Sequence, residues 1–183
     1  MKRIVFHWTG GSYTPNAAEL KAYHFLIDGD GNVHDGDLPP EANSPASVKR
    51  GTYARHTGGL NTDSIGVGLC GMFGAKEGGP YGKYPIKKGQ FAAAIKEAAH
   101  LCEVYGLSAD DCVMHSEVRP RFGRGKVKWD INYMPWLPGG VELTPGAAGG
   151  YLRVQVRQAM GRAASGSWKK QSKAPKWLRR FFG

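Results

Sequence analysis

The sequence predicts an α/β domain in which a mixed central β-sheet is flanked by helices. Three features carry that prediction. Short runs rich in β-branched and aromatic residues (2–7, 23–27, 33–35, 64–72 and 112–114) are separated by turn chemistry. One long segment, Gln90 to Tyr105, places apolar residues at helical spacing. Strands stand before and after that helix, and the loops between them feed one face.

Taken in order, residues 2–7 alternate weakly and end in His7, just before the Gly10-Gly11 turn. A strand there would present the imidazole at its end. Gly10 to Asn16 reads as a loop and Ala17 to Lys21 as a short helical turn. Tyr23 to Ile27 reads as a strand. Asp28-Gly-Asp-Gly-Asn32 is hairpin chemistry, because Asp-Gly and Gly-Asn tolerate positive φ, and Val33 to Asp35 returns as the partner. Leu38 to Lys49 is a Pro/Ser-rich connection, and Gly51 to Asn61 a polar surface loop. Ser64 to Met72 reads as a buried central strand whose glycines allow close packing from above. Phe73 to Lys88 is a Gly/Pro/Tyr-rich loop. In the long helix, Phe91, Ile95, Ala98, Ala99, Cys102 and Tyr105 share a face and Gly106 stops it. Cys112 to Met114 is a short strand leading to His115, and Trp129 to Pro138 is limited by proline. The expected division is a domain over 1–140, a Gly/Ala/Pro/Thr linker over 141–150, and a cationic aromatic tail over 151–183, helical near Tyr151 to Met160.

Composition excludes some classes. No apolar run approaches the ~20 residues that cross a bilayer. The apolar run at the N-terminus is too short for a signal peptide and is broken by His7. Synthesis and retention in the cytoplasm are therefore expected. The cysteines (Cys70, Cys102, Cys112) are odd in number and follow no framework spacing, so reduced, buried thiols are expected. The net charge is +10. From Tyr151 onward there are nine Lys/Arg and no acidic residue, which leaves sixteen basic against fifteen acidic residues in 1–150. The body is thus close to neutral, and the basic balance is assigned to a partner of the tail.

The residues that carry chemistry are far apart in sequence. Imidazole and carboxylate suit Zn²⁺, and a catalytic zinc takes three protein ligands plus a water. His7 and His115 each end a strand, and Asp130 lies in a loop. Singly, each is more often a packed or surface residue; jointly they suggest a metal centre. Lys128 stands two residues before Asp130, either as a fixed cation for an oxyanion or as a solvated loop charge. Tyr23 and His24 are neighbours on a strand and face opposite ways, with Tyr23 either inward or packed as an ordinary strand aromatic. Cys112 is taken as core. Asp28, Asp30 and Asn32 resemble half a calcium loop, but the later glutamate is missing and the hairpin accounts for them.

Five blocks in order, Val5-Phe-His-Trp-Thr-Gly-Gly, Tyr23-His-Phe-Leu-Ile-Asp-Gly-Asp-Gly-Asn-Val, Arg55-His-Thr-Gly-Gly-Leu-Asn-Thr-Asp-Ser-Ile-Gly-Val, His115-Ser-Glu-Val and Lys128-Trp-Asp130, resemble the zinc-dependent N-acetylmuramoyl-L-alanine amidases of type 2. Phage endolysins, cell-wall recycling amidases and peptidoglycan recognition proteins share that fold. The resemblance spans about residues 3–137. It implies a mixed sheet with a zinc groove on one face. His7, His115 and Asp130 match the zinc ligands, Lys128 the lysine that steadies an oxyanion, and Tyr23 the tyrosine near the attacking water. Arg55 to Asn61 falls where the family lines its groove, with His56 and Asn61 as substrate-binding residues. A full ligand set favours an enzyme over a non-catalytic recognition protein. The implied reaction is zinc-assisted hydrolysis of the amide joining N-acetylmuramic acid to L-alanine.

Trp168, Trp177, Leu178, Phe181 and Phe182, interleaved with lysines and arginines, suit an interfacial segment that meets anionic lipid or lipopolysaccharide. That tail favours a phage endolysin, acting on the host wall after release, over a cellular recycling amidase. A non-catalytic peptidoglycan-binding module is the second reading. A nucleic-acid-binding protein is the third, and the near-neutral body argues against it. A monomer is expected.

Overall fold

The computed structural model describes residues 1–165. Its sheet is built from β1 (Arg3–Trp8), β2 (Phe25–Ile27), β3 (Val33–Asp35), β4 (Ser64–Leu69) and β5 (Cys112–Met114) in the order β3-β2-β4-β1-β5. β1 runs parallel to β4 and β5, β4 runs parallel to β2, and β3 closes the edge as an antiparallel hairpin partner. The sheet is mixed, as expected. Asp28 fixes the hairpin by accepting the backbone N–H groups of Asp30 and Asn32 on its Oδ1.

Alternation along the strands makes two different faces. Ile4, Phe6 and Trp8 of β1 and Ile65, Val67 and Leu69 of β4 point into the main core. There they meet α3 (Lys88–Tyr105) and α5 (Pro145–Ala164), which pack on each other. Val5, His7, Ser64, Gly66 and Gly68 alternate to the other face. A small apolar cluster of Val5, Leu60, Val113 and Val118 covers part of it. The rest of that face carries the polar groups described below.

The short elements serve the second face. α1 (Ala17–Ala22) is started by Asn16, whose side chain accepts from Ala18 N and Glu19 N while Glu19 reaches back to Asn16 N. α2 (Pro45–Arg50) is capped by Ser44, so the expected connection over 38–49 is partly helical. α4 (His115–Phe122) follows β5 without a loop. Tyr23 and His24 precede β2, which begins only at Phe25.

The structure corrects the expected linker at 141–150. Val141 and Glu142 form β7, paired with β6 (Tyr133–Met134), and Pro145 opens the twenty-residue α5. Thr144 caps that helix and proline suits its first turn. Ala148, Leu152, Val156 and Ala159 are then buried on one side. The first cations assigned to a tail are body residues: Arg153 pairs with Glu117 and Arg157 with Asp110. Trp168 to Phe182 lie outside the described residues. Among the described residues, no helix is long and apolar enough to cross a membrane. The three cysteines are buried and free, with Cys102 Sγ 3.9 Å from Cys112 Sγ.

Candidate metal centre

β1 carries His7 to the C-terminal end of the parallel strands, and the β5–α4 junction delivers His115 beside it. Asp130 arrives on the loop after α4. That loop is pinned twice: Trp129 packs edge-on against Trp8 with ring centroids 4.5 Å apart, and Ser116 N–H donates to the Asp130 carbonyl at 2.8 Å. The three side chains converge. His7 Nδ1 lies 3.0 Å from His115 Nδ1 and 3.3 Å from Asp130 Oδ2, and His115 Nδ1 lies 2.9 Å from the same oxygen. All three residues are buried.

This donor set fits zinc. Two zinc–ligand bonds of usual length at a tetrahedral angle separate the donor atoms by about 3.3–3.4 Å, close to what is seen. The electrostatics agree. Burial pushes the His7 imidazole down to about 4, against the opposing pull of Asp130. Burial alone would raise the Asp130 carboxyl, but the adjoining His115 and His7 imidazoles hold it far below the usual carboxylate range. A neutral imidazole and an ionised carboxylate are the states that a cation requires.

Behind His7 runs a hydrogen-bond chain that fixes its tautomer. With Nδ1 turned to the centre, His7 Nε2 carries the hydrogen and faces Thr57 Oγ1 and His56 Nδ1, each at 3.2 Å. Thr57 Oγ1 in turn lies 2.7 Å from His56 Nδ1, and His56 Nε2 lies 3.3 Å from the Ser64 carbonyl. One assignment satisfies every group: His7 donates to Thr57, Thr57 to His56, and His56 to the Ser64 carbonyl. The loop holding these groups is braced by Asn43, which donates to the carbonyls of Ala54 and Asn61 and accepts from Ala54 N.

His56 and Asn61, expected as substrate-binding residues, have internal tasks here. His56 is buried behind His7, and burial pushes its imidazole well below the ordinary histidine value. Asn61 Oδ1 accepts the Thr57 N–H at 2.8 Å. The β4 glycines make room for this layer. A Cβ on Gly66 would overlap the His56 ring, and one on Gly68 would sit 3.1 Å from the Tyr23 ring. The sequence showed those glycines; Thr57 and Asn43 carried no local signal that set them apart.

Tyr23 stands over Gly68 with its ring centroid 5.2 Å from that of His7. Burial, with the Asp130 charge, pushes its hydroxyl well above the ordinary value, so it stays protonated. Lys128 is exposed, and its positive charge is felt at His7. His24 lies behind, accepting Gly66 N–H on Nδ1 at 2.8 Å. A final support comes from α5. Arg153 contacts both Glu117 oxygens at 3.0 Å, and Glu117 accepts the Met114 N–H that immediately precedes His115. Gly149 leaves the space that the Glu117 carboxylate fills.

The model of the N-acetylmuramoyl-L-alanine amidase family matches residues 1–131. The chain belongs to this family. The match covers β1 through Asp130 and so includes all three candidate ligands, while the amidase's α5 lies beyond it. No curated protein matches the sequence. Among solved structures, the amidase is similar to the Staphylococcus aureus hydrolase AmiA in complex with its ligand. The TM-score is 0.57 at 15% identity, over 90% of this chain and 75% of that one. It is also similar to the N-acetylmuramyl-L-alanine amidase AmiD from E. coli, with a TM-score of 0.50 at 22% identity, over 72% of this chain and 52% of AmiD. A Drosophila peptidoglycan recognition protein, PGRP-SD, matches at a TM-score of 0.46 and 19% identity, over 64% of this chain and 70% of that one. At these identities the likeness is one of fold.

Proposed function

We propose that this amidase is a zinc-dependent hydrolase of peptidoglycan, cleaving the amide between the lactyl group of N-acetylmuramic acid and L-alanine, and that it serves as a phage endolysin. The observation that carries the reading is the convergence of His7 Nδ1, His115 Nδ1 and Asp130 Oδ2 from three distant parts of the chain. A zinc ion held there would supply Lewis-acid activation of water and of the amide carbonyl. The protein's own groups supply the rest. Thr57 and His56 hold His7 in one tautomer and orientation. Tyr23, kept protonated beside the centre, can donate a hydrogen bond to a developing oxyanion and return a proton to the departing amine. Lys128 offers a fixed positive charge.

The AmiD complex contains anhydro-N-acetylmuramic acid-L-Ala-D-γ-Glu-L-Lys, and substrates of that class suit the present groove. The endolysin role is supported by the aromatic and cationic run at 168–182, whose composition suits contact with an anionic envelope surface. The test is digestion of purified wall by the full-length, zinc-loaded protein with and without a chelator. New amino termini should be L-alanine, and the chelator should abolish their release. Release at another bond, or undiminished release after metal removal, would refute the proposal.

A further inference from the structure

The near-neutral body conceals a separation of charge. Two segments free of acidic residues, 45–62 and 118–129, hold Lys49, Arg50, Arg55, Arg119, Arg121, Arg124, Lys126 and Lys128. These are eight of the sixteen cations in residues 1–150. The structure brings part of each segment to the metal centre. The first supplies His56 and Thr57 behind His7; the second leaves His115 and returns at Asp130. They also touch, since a Cβ on Gly59 would lie 3.1 Å from Gly125 N.

All eight side chains are exposed, and among the described residues none is paired with a carboxylate. Elsewhere among the described residues, Lys2 pairs with Asp63, Lys87 with Asp30, Arg153 with Glu117 and Arg157 with Asp110. Arg55 also lines, with Lys21 and Tyr53, an open cavity of about 430 Å³. A surface that mixes signs is the ordinary, self-compensating arrangement. Clustered like charges repel one another and raise the local concentration of an anionic ligand.

We infer that these two segments form adjoining cationic banks beside the metal centre, which capture wall peptides through their free carboxylates. The inference rests on the amidase reading for its substrate class. A γ-linked glutamate, as in the peptide bound by AmiD, keeps its α-carboxylate free, so each stem peptide brings negative charge within reach of the banks. The cleaved amide itself is neutral. The banks therefore act on encounter and retention, and apart from Lys128 the chemical step does not depend on them.

The test uses full-length, zinc-loaded protein in two forms, wild type and K49Q/R50Q/R124Q/K126Q. All four positions lie outside the metal centre and its supporting hydrogen-bond chain. Sedimentation with purified walls, stripped of phosphate polymers, reads binding in a Tyr23→Phe background that slows cutting. Kinetics on soluble muropeptide read KM and kcat in the Tyr23 background.

At low salt the neutralised form should bind about tenfold more weakly than its parent, an effect of the size expected for electrostatic capture. Its binding should change little as salt rises, and KM should rise with kcat unchanged. The charge-keeping R50K/R124K form should behave as wild type, which separates charge from local folding. Walls whose stem carboxylates have been converted to amides should bind the wild type as weakly as native walls bind the neutralised form. Equal binding by both forms, or undiminished binding to the amidated wall, would overturn the inference and leave the hydrolase reading intact. A wild type that binds by charge yet releases no L-alanine amino terminus would sink the hydrolase reading and leave this one standing.

Discussion

Removing the Arg153 guanidinium should destabilise the metal centre from a helix outside the family-matched region. Glu117 is 6% and Arg153 19% exposed at the side chain, so the pair is largely withdrawn from water. Breaking a buried pair by deleting one partner costs about 3–5 kcal/mol, because the remaining charge stays buried and uncompensated. Glu117 retains the Met114 N–H as a partner, which puts Arg153→Ala near the lower end, about 3 kcal/mol. For a chain of this length that corresponds to a fall in Tm of roughly 6–12 °C. Urea unfolding at neutral pH, followed by tryptophan fluorescence, measures the loss, and bound zinc is quantified in parallel. Glu117→Gln combined with Arg153→Met should restore much of the stability, since that pair of changes leaves no orphaned charge. A loss below about 1 kcal/mol, the range of exposed pairs, would show that Arg153 decorates the surface and does not hold α4.

Three further outcomes follow from the site. Lys128→Ala should keep the zinc content and lower kcat about 10²–10³-fold, as loss of an oxyanion-stabilising group does; unchanged turnover removes Lys128 from the chemistry. Gly66→Ala should cost about 1–3 kcal/mol by overpacking and weaken zinc binding, because the new methyl displaces His56 from behind His7; calorimetric zinc titration and Tm matching wild type would contradict this. Burial pushes the His24 imidazole down to about 4 from an ordinary 6.5. The unfolded chain therefore takes up that proton first as pH falls, so this contribution to stability is complete above pH 6.5 and is lost between pH 6.5 and 4. The loss amounts to roughly 3 kcal/mol. His24→Asn, which keeps an acceptor for Gly66 N–H, should flatten that part of the stability–pH curve, and an unaltered slope would count against it.

The parts legible in the sequence were those with strong local signals. The Asp-Gly hairpin, the long amphipathic α3 and the strand-to-histidine junctions at His7 and His115 each declare themselves within a few residues. Asp130 became readable through the motif blocks that surround it. α5 did not, because a Pro-Gly-Ala-Ala-Gly-Gly start imitates a linker. Its helix depends on a threonine cap and on Gly149 fitting against Glu117, a residue thirty-two positions earlier. His56 and Asn61 read as groove residues because the motif block that holds them falls where the resembled family lines its groove. Only the chain folding back over the β4 glycines turns them inward. The charge separation was hidden by summation, since one net value cannot show which sign lies next to a groove.

The clasp between α5 and α4 bears on how this catalytic unit can be moved into other proteins. A graft that follows the motif boundary and is cut near residue 131, or in the glycine-rich stretch before Tyr151, would sever the helix that supports His115. The unit should be excised downstream of Ala164, and chimeras joined earlier should be recovered as insoluble or metal-poor material.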